Sequence, residues 1–455
     1  MAPQIASAIS ASMAAKAQNT TIVSDIAESL RNLPAGNKLS VRVITTADHQ
    51  VDSLTPQRRF SHFHSSSTMS RRTLIFVSQG ECLVAGLEAH EFTSISVQVS
   101  SGQNTSPSVA VDVCIEKVDT SGELSIRMPL VSALIAGYMR SLRRYRAPLG
   151  IDTVSVHLFA RAQPEYLFAK SQGNPGKRIL DDLALIKWWQ GTLQAGLAYA
   201  MVSDNSTASS LTAIANCIVP GTSVGEAPWF LGAQSGIRVS EADKAIEQLA
   251  TGMMAKCDPT DTALSVYSKA PHTVQWKWGL PYDDTARAHD CVLQFPDDPM
   301  TRLLSEPHSS AWSVHTLLEM LSVSEECGSG RRTAYFSATL PLRAHLSCAS
   351  ADTDGTAEQG KPSFDDYDRA LVALFDRGMD FSSSDSALAS SRRFTEYIDT
   401  QLGIASVAVD TTGAAVAPRH SETKAKEAPK VNDLTMSIRK SARSLSSFAN
   451  SICEQ

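Results

Sequence analysis

The chain has 455 residues, with 41 Lys and Arg against 47 Asp and Glu, and so carries a formal net charge of −6. Hydrophobic residues make up 43% and charged residues 19%, a globular composition that excludes a wholly disordered chain. The best apolar run, residues 130–139, is much shorter than the roughly 18 residues of a membrane helix, so we expect a soluble protein without a membrane partner. The charge also excludes an all-over basic nucleic-acid binder, though not a local basic patch.

The cysteines point to a reducing compartment. All eight are widely spaced and none forms a CxxC pair, which excludes the usual zinc modules and a dense disulfide framework. We therefore predict no metal site. Residues 1–20 lack the charged and apolar regions of a signal peptide and are interpreted as a flexible extension, with a mitochondrial transit peptide as a minor alternative.

The first part of the chain mixes helix and strand patterns. Apolar spacing predicts helices over residues 22–33 and 130–142, the second opened by Pro129. Alternating patterns predict strands, of which the second to fourth form a meander, over residues 39–44, 73–78, 91–99, 109–115 and 153–160. Four arginines between residues 140 and 146 suit either a solvated helix end or a nucleic-acid contact.

The second part is mainly helical. Asp181 and Asp182 cap a predicted helix that runs from Leu183 towards Val202, and residues 203–227 are interpreted as a connection. Further patterns predict helices and one strand, the helices over residues 240–255, 310–325, 364–377 and 385–402, and the strand over 333–340.

These elements predict an α/β fold, in which a central mixed β-sheet is surrounded by helices. We expect one domain over residues 21–405, between the flexible extension of residues 1–20 and a flexible tail of residues 406–455. Residues 419–455 carry seven basic and four acidic side chains, and such a basic tail can serve nuclear import.

Phe295-Pro-Asp-Asp-Pro299 is the most distinctive local motif. Its structural interpretation is a rigid turn in which an aspartate caps the next helix. Its functional interpretation is an acidic pair held where a carboxylate can orient or deprotonate an amine. The two interpretations are compatible, because a turn bracketed by prolines restricts the position of its carboxylates.

Gly221-Thr-Ser-Val-Gly225 matches the nucleophile elbow of serine hydrolases, which needs a strand before the serine and a helix after it. Residues 217–219 are too short for that strand, and Pro228 is expected to block the helix. We therefore favour a loop over a hydrolase centred on Ser223.

Trp188-Trp189 and Lys177-Arg178 flank the start of the helix after Asp182. The tryptophans suit either the core or a flat wall for a long, thin ligand. The two cations, with Arg161 upstream, suit either the solvated surface or a phosphate site at a helix N-terminus.

Five segments together resemble the fungal histone H3 lysine acetyltransferases of the Rtt type, whose catalytic domain is similar to that of CBP-type acetyltransferases. They are Leu158-Phe-Ala-Arg161, Tyr166-Leu-Phe168, Lys177-Arg-Ile-Leu180, Leu185-Ile-Lys-Trp-Trp189 and Phe295-Pro-Asp-Asp-Pro299. The resemblance covers roughly residues 25–405, and residues 431–434 look like the short C-terminal signature of the family. It implies a CBP-like acetyltransferase fold, acetyl-CoA as the co-substrate and lysine as the acetyl acceptor.

The resemblance also implies a set of site residues. Asp298 would be the proton acceptor, with Asp297 beside it, while Asp119, Tyr166 and Trp189 would flank the tunnel for the lysine. The residues that would line the acetyl-CoA site are Val118, Asp119, Thr120, Ser125, Ile126, Arg127, Met128, Pro129, Phe159, Gln163, Arg178, Ile179, Leu180 and Trp188. Arg127 and Arg178 are the expected phosphate contacts.

Two departures from the family pattern stand out. Met300 occupies the position of a lysine that, in the family, is buried against the second aspartate and is itself acetylated. Without that cation we expect a higher pKa for Asp298. The connection 140–152 is short where relatives carry a long basic loop.

The expected reaction is direct acetyl transfer to newly synthesised histone H3 in the nucleus, during nucleosome assembly or the response to DNA damage. Expected partners are histone H3–H4 and histone chaperones of the anti-silencing-function and NAP types, with no sequence-specific binding of nucleic acid. The rival interpretation is a non-catalytic scaffold for histones and chaperones, because Met300 can signal decay of the site.

Overall fold

A computed structural model describes residues 15–54, 67–96, 108–125, 128–146, 151, 153–201, 212–231, 274–324, 327, 331–341 and 364–413. The strands are β1 Lys38–Thr45, β2 His49–Val51, β3 Ser67–Gln79, β4 Cys82–Ser96, β5 Ser108–Thr120, β6 Thr153–Ala160, β7 Ala213–Ile218, β8 Val274–Trp278, β9 Ala334–Pro341 and β10 Val407–Asp410. The α-helices are α1 Ala15–Arg31, α2 Leu130–Arg146, α3 Asp182–Met201, α4 Ala227–Leu231, α5 Ala288–Cys291, α6 Pro299–Leu304, α7 Val314–Val323, α8 Phe364–Leu374 and α9 Ser384–Tyr397.

The described strands form one 10-stranded sheet in the order β10-β1-β3-β4-β5-β6-β9-β7-β8, with β2 added beside β3. The pairs β5–β6 and β7–β8 are parallel and the other pairs are antiparallel. The predicted mixed sheet and its antiparallel meander are therefore confirmed. The parallel pair matters for function, because it places the C-terminal ends of β5 and β6 side by side.

Helices cover both faces of the sheet. Along β3, Ile75 packs into a core that includes α1, α2 and α3, whereas the neighbouring Phe76 packs into a second core with α8 and α9. This alternation is what a strand buried on both faces requires. A third core joins α5, α6 and α7 around Leu317 and Leu321.

The arginines at the end of α2 form structural contacts. The Arg144 guanidinium lies 2.5 Å from the fully buried carboxylate of Asp25 on α1, and that of Arg140 lies over the ring of Tyr199 on α3. Arg143 donates a hydrogen bond to the carbonyl oxygen of Ala200. These contacts join three helices and give Arg140, Arg143 and Arg144 structural partners.

Strands β7 and β10 lie in segments that the sequence interpretation assigned to a connection and to the tail. β7 occupies part of the expected connection 203–227, and β10 occupies part of the expected tail 406–455. Since β10 pairs with β1 and α1 begins at Ala15, the folded unit exceeds the predicted domain 21–405 at both ends.

Other predictions are altered or lie outside the described part of the chain. The predicted helix 310–325 is divided into a short 3-10 helix, Pro307–Ala311, and α7. The predicted helix 240–255 and most of the tail lie outside the described residues. None of the helices in the described ranges has both the length and the apolar character needed to cross a membrane.

Candidate active site

A cavity of about 1020 Å³ opens where β5 and β6 end and α3 begins. Its walls come from the last residues of β5, the loop after β6 and the first two turns of α3. The predicted acetyl-CoA residues that line it are Val118, Asp119, Thr120, Met128, Pro129, Phe159, Gln163, Arg178, Ile179, Leu180 and Trp188. Ser125 is exposed and lies outside this lining, while Ile126 and Arg127 lie outside the described residues. The structure thus gathers most of the predicted set, and the roles of its members stay predictions.

The loop before α3 is held against the end of β5 by close backbone packing. Gly122 has a φ of +98°, a conformation that favours glycine. A Cβ atom on Gly176 would lie 2.2 Å from the carbonyl oxygen of Gly122. Asn174 closes the turn by accepting a hydrogen bond from the Gly176 N–H at 2.9 Å. The Gly173-Asn-Pro-Gly176 sequence therefore fixes where the following cations lie.

The two cations of that loop have different roles. The Lys177 ammonium is buried and lies 2.7 Å from the Oδ1 atom of Asp119, so its charge is paired within the protein rather than solvated. Arg178 is exposed at the cavity and is free of that ion pair. Lys187, one turn into α3, adds another cation to the lining, which the sequence interpretation missed.

Asp119 organises the loop that begins at Tyr166. Its Oδ1 atom accepts hydrogen bonds from the Thr120 N–H at 2.8 Å and from Lys177. Its Oδ2 atom accepts three more, from the N–H groups of Tyr166, Leu167 and Phe168 at 2.8, 2.9 and 3.2 Å. With both oxygens engaged in this way, Asp119 positions the loop and has little capacity left to anchor a substrate lysine.

Tyr166 stands between the two parts of the site. Its hydroxyl donates a hydrogen bond to the carbonyl oxygen of Arg161. Burial, together with the charge of Asp119, raises the pKa of Tyr166 to about 12. The phenol is thus protonated at neutral pH and can donate a hydrogen bond, but it cannot act as a base.

The tryptophan pair belongs to the larger cavity. The two rings are in edge contact, with centroids 4.9 Å apart and planes at 69°. Trp189 is buried and Trp188 is half-buried, and both line the large cavity. Trp189 does not line the pocket of Asp298, so the structure places it beside Trp188 rather than beside the predicted acceptor carboxylate.

A second cavity of about 310 Å³ contains the Phe295-Pro-Asp-Asp-Pro299 turn. Asp297 adopts a positive φ of 61° and is exposed. The half-buried Asp298 caps α6, since its Oδ1 atom accepts the Met300 N–H at 2.8 Å, and Pro299 opens that helix. The structural interpretation of the motif is therefore confirmed, and the turn also presents Asp298 to a cavity.

The environment of Asp298 suits proton transfer. Burial raises its pKa to about 6, although the Met300 N–H and the charges of His157 and Arg302 act in the opposite direction. A carboxylate with this pKa is ionised at neutral pH, yet is a stronger base than an exposed one. Burial is the leading cause of this rise, and the effect that we expected from the missing lysine stays a prediction.

The two cavities adjoin each other. Eight residues line both of them: Ile115, Glu116, Lys117, Leu158, Phe159, Arg161, Gln163 and Tyr166. An elongated donor in the larger cavity and an amine beside Asp298 would therefore meet at a common wall. This arrangement suits transfer of an acyl group to an amine, with Asp298 accepting the proton.

Polar residues in and next to the Asp298 pocket were missed by the sequence interpretation. The Nε2 atom of His157 on β6 lies 3.2 Å from the Oδ1 atom of Asp112 on β5. Cys114, the partner of His157 in the β5–β6 register, lines the Asp298 pocket. Burial, with the charges of Glu116 and Asp298, raises the pKa of the Cys114 thiol well above its ordinary value, so Cys114 is a poor nucleophile. Alternation in β5 indicates that residues 112, 114 and 116 share a face, but the pairing with β6 cannot be read from the sequence.

The Ser223 motif has the strand and helix that we expected to be absent. β7 ends at Ile218, and Pro228 lies within the first turn of α4, a position that tolerates proline. Ser223 is nevertheless the N-cap of a short 3-10 helix, and its hydroxyl lies 3.0 Å from the Oε2 atom of Glu226. Ser223 and Glu226 thus form a capping box, which gives the serine a structural role. The strand and helix therefore add no support for the hydrolase interpretation.

Comparison with known proteins gives one family and one fold. The sequence model of the histone acetyltransferase KAT11-type domain matches residues 142–442. The histone acetyltransferase rtt109 of Aspergillus flavus is 26% identical over 350 residues, which are 67% of this chain and 54% of the relative. That of Schizosaccharomyces pombe is 25% identical over 199 residues, 42% of each chain. This chain thus spans about half the length of these curated relatives. The crystal structure of Rtt109 from Aspergillus fumigatus has the same fold, with a TM-score of 0.59 and 21% identity, over 86% of this chain and 100% of that one.

Proposed function

This chain belongs to the KAT11-type histone acetyltransferase family, and from that membership we propose that it transfers the acetyl group of acetyl-CoA to lysine side chains of histone H3. The membership agrees with the resemblance predicted from the sequence. The observation that carries the proposal is the carboxylate of Asp298 in a pocket that shares a wall with the large cavity.

The large cavity fits acetyl-CoA in its chemistry. Arg178 and Lys187 supply positive charge for phosphates. Phe159, Leu180 and Trp188 provide apolar surface for a long, thin arm. Acetyl-CoA supplies the acetyl group, and the residues of this chain orient it and exclude water.

In the proposed mechanism, the substrate lysine enters from the side of Asp298. A lysine has an unperturbed pKa of about 10.4, so its reactive neutral form costs roughly 4–5 kcal/mol at pH 7. Asp298 accepts one proton from the ammonium group, and the freed amine attacks the thioester carbon of acetyl-CoA. The C–N bond forms as the C–S bond breaks, and the second proton lost by the amine goes to the departing sulfur, so that CoA leaves as its thiol. Tyr166 and Arg161 line both cavities, so in this mechanism a phenol and a cation lie near the reacting groups.

The proposed substrate is newly synthesised histone H3, including lysines of its globular core and its N-terminal tail. We infer nuclear action in nucleosome assembly and the response to DNA damage, with histone chaperones of the anti-silencing-function and NAP types presenting H3–H4. The names of the relatives and the family membership support acetylation of histones. The finer inferences on substrate, partners and process follow the sequence resemblance alone.

The test is acetyl transfer from labelled acetyl-CoA to an H3–H4–chaperone complex, with wild type beside Asp298→Asn. We expect strong labelling by wild type and a loss of about 10²- to 10⁴-fold in the variant, the usual range for removal of a general base. Labelling that survives in the variant would assign the base elsewhere. No labelling by folded wild type with chaperone present would favour the scaffold.

A further inference from the structure

Strand β5 is irregular where it reaches the two cavities. Ile115 pairs with Ala89 on β4 and Lys117 pairs with Glu88, so Glu116 is an extra residue without a partner in that register. Such a β-bulge redirects side chains and is frequent next to active sites. Successive residues of a regular strand point to opposite faces. Here both Glu116 and Lys117 line the two cavities.

The carboxylate of Glu116 is held in place by side chains of the neighbouring strands. Its Oε1 atom lies 3.4 Å from the Nδ1 atom of His90 on β4, and the Glu116 side chain is 18% exposed. The Nε2 atom of His90 is in turn hydrogen-bonded to the hydroxyl of Ser70 on β3. Three strands thus fix a partly exposed carboxylate at the wall that the cavities share.

The charges around Glu116 keep it ionised. Burial alone would raise its pKa, but the hydrogen bond and charge of His90, with the charges of Arg72 and Lys117, outweigh burial and lower the pKa of Glu116. The Lys117 ammonium is itself bound by Glu88, with Nζ and Oε2 2.6 Å apart. Lys117 is therefore already paired, and the exposed part of the Glu116 carboxylate is available to another cation.

Glu116 and Asp298 are thus two carboxylates beside one pocket with opposite properties. The pKa of Asp298 is raised to about 6 and that of Glu116 is lowered. Where the environments of two acids separate their pKa values, the two groups can perform different tasks. The more acidic group suits holding a cation, and the less acidic group suits accepting a proton.

We propose that Glu116 binds the ammonium group of the incoming lysine at the wall between the two cavities and presents it to Asp298. This assignment rests on the proposed acetyl transfer. It makes Glu116 a substrate-binding residue that recognises positive charge, whereas Asp298 takes part in the chemical step.

The test is the binding of two H3 peptides that differ at one position, a lysine in the first and the uncharged norleucine in the second. We expect wild type to bind the lysine peptide more tightly than the norleucine peptide. The Glu116→Gln variant is expected to bind the lysine peptide about tenfold more weakly, which corresponds to the free energy of one hydrogen bond to a charged group. Affinity for the norleucine peptide is expected to stay the same. In acetyl transfer, the KM for the peptide is expected to rise about tenfold while kcat and the Kd of acetyl-CoA change little.

Glu306→Gln is the matched control, because Glu306 is exposed and lies outside both cavity linings. Glu116→Asp, which keeps the charge, is expected to retain most of the preference for lysine. A folded Glu116→Gln variant with an unchanged lysine-to-norleucine ratio would overturn the assignment, as would a Glu116→Asp variant that loses the preference completely. If wild type transfers no acetyl group, the proposed function fails, and the binding ratio still reports on Glu116.

Discussion

The Lys177 ammonium lies 2.7 Å from the Oδ1 atom of Asp119, and each of these side chains is only 5% exposed. The pair joins the end of β5 to the loop before α3. Asp119 also accepts hydrogen bonds from the N–H groups of residues 166–168. One carboxylate therefore fixes both loops that border the large cavity.

Asp119→Asn is therefore expected to act mainly on stability. Removing one charge of a buried pair leaves the other uncompensated, which typically costs 3–5 kcal/mol, here about 3 kcal/mol in the free energy of unfolding. Urea unfolding measures the loss. Lys177→Met in the Asp119→Asn background is expected to restore part of it, as a double-mutant cycle would show. A fully stable but inactive Asp119→Asn variant would instead assign Asp119 to the chemistry.

The turn around Asp298 was predictable from the sequence, and the partners of Asp119 were not. Prolines and an aspartate before a helix act on their immediate neighbours. The sequence Phe295-Pro-Asp-Asp-Pro299 therefore predicts its own turn and the helix cap that follows. The contacts of Asp119 with Tyr166 and Lys177 span 47 and 58 positions of the chain. Such contacts depend on where β5 and the later loops meet.

Strands β7 and β10, which the sequence did not predict, also depend on distant partners. Residues 407–410 form a strand because they pair with β1, and residues 213–218 do so between β8 and β9. Neither segment is long enough to give a strong periodic signal. The face shared by Asp112, Cys114 and Glu116 could be read from alternation, but not the bulge that brings Lys117 beside Glu116.

Arg178→Ala tests the phosphate end of the large cavity. Arg178 is exposed there, so we expect the Kd of acetyl-CoA to rise about tenfold, the low end for a charge-assisted hydrogen bond. The effect should shrink at high salt, since exposed charges are screened. Calorimetric titration at two salt concentrations measures both effects. Arg377→Ala, at an exposed arginine outside the cavity linings, is the control, and equal Kd values for the two variants would contradict the assignment.

Asp298 should lower stability at neutral pH while it supports activity. Its pKa is raised from 3.8 to about 6 in the folded protein. A carboxyl group with a raised folded-state pKa favours folding fully below its unfolded-state pKa, and that contribution is lost as the pH rises through about 6. Above that pH, the buried charge costs about 2–3 kcal/mol.

Asp298→Asn removes this titration and keeps a good helix cap. The variant is therefore expected to match wild type in stability near pH 4 and to exceed it by about 2–3 kcal/mol at pH 8. Urea unfolding at both pH values measures the difference. A difference that does not change with pH would show that Asp298 titrates normally in the folded protein.

Met300→Lys tests the departure of this chain from the family pattern. Met300 is 8% exposed and packs in the core formed by α5, α6 and α7, one position after the proline that follows Asp298. An ammonium group there would stabilise the carboxylate, and a nearby opposite charge usually lowers a carboxyl pKa by 1–3 units. Acetyl transfer needs ionised Asp298, so the acid limb of the rate profile should move from near pH 6 to about pH 5.

Met300→Leu separates charge from packing, because leucine has a similar volume and no charge. We expect its acid limb to stay near that of wild type, with less than about 1.5 kcal/mol lost in stability. Met300→Lys should be less stable than Met300→Leu, since it buries a cation. If Met300→Lys is folded and active and its acid limb coincides with that of Met300→Leu, the ammonium does not reach Asp298. The missing lysine would then have no influence on the pKa of the base.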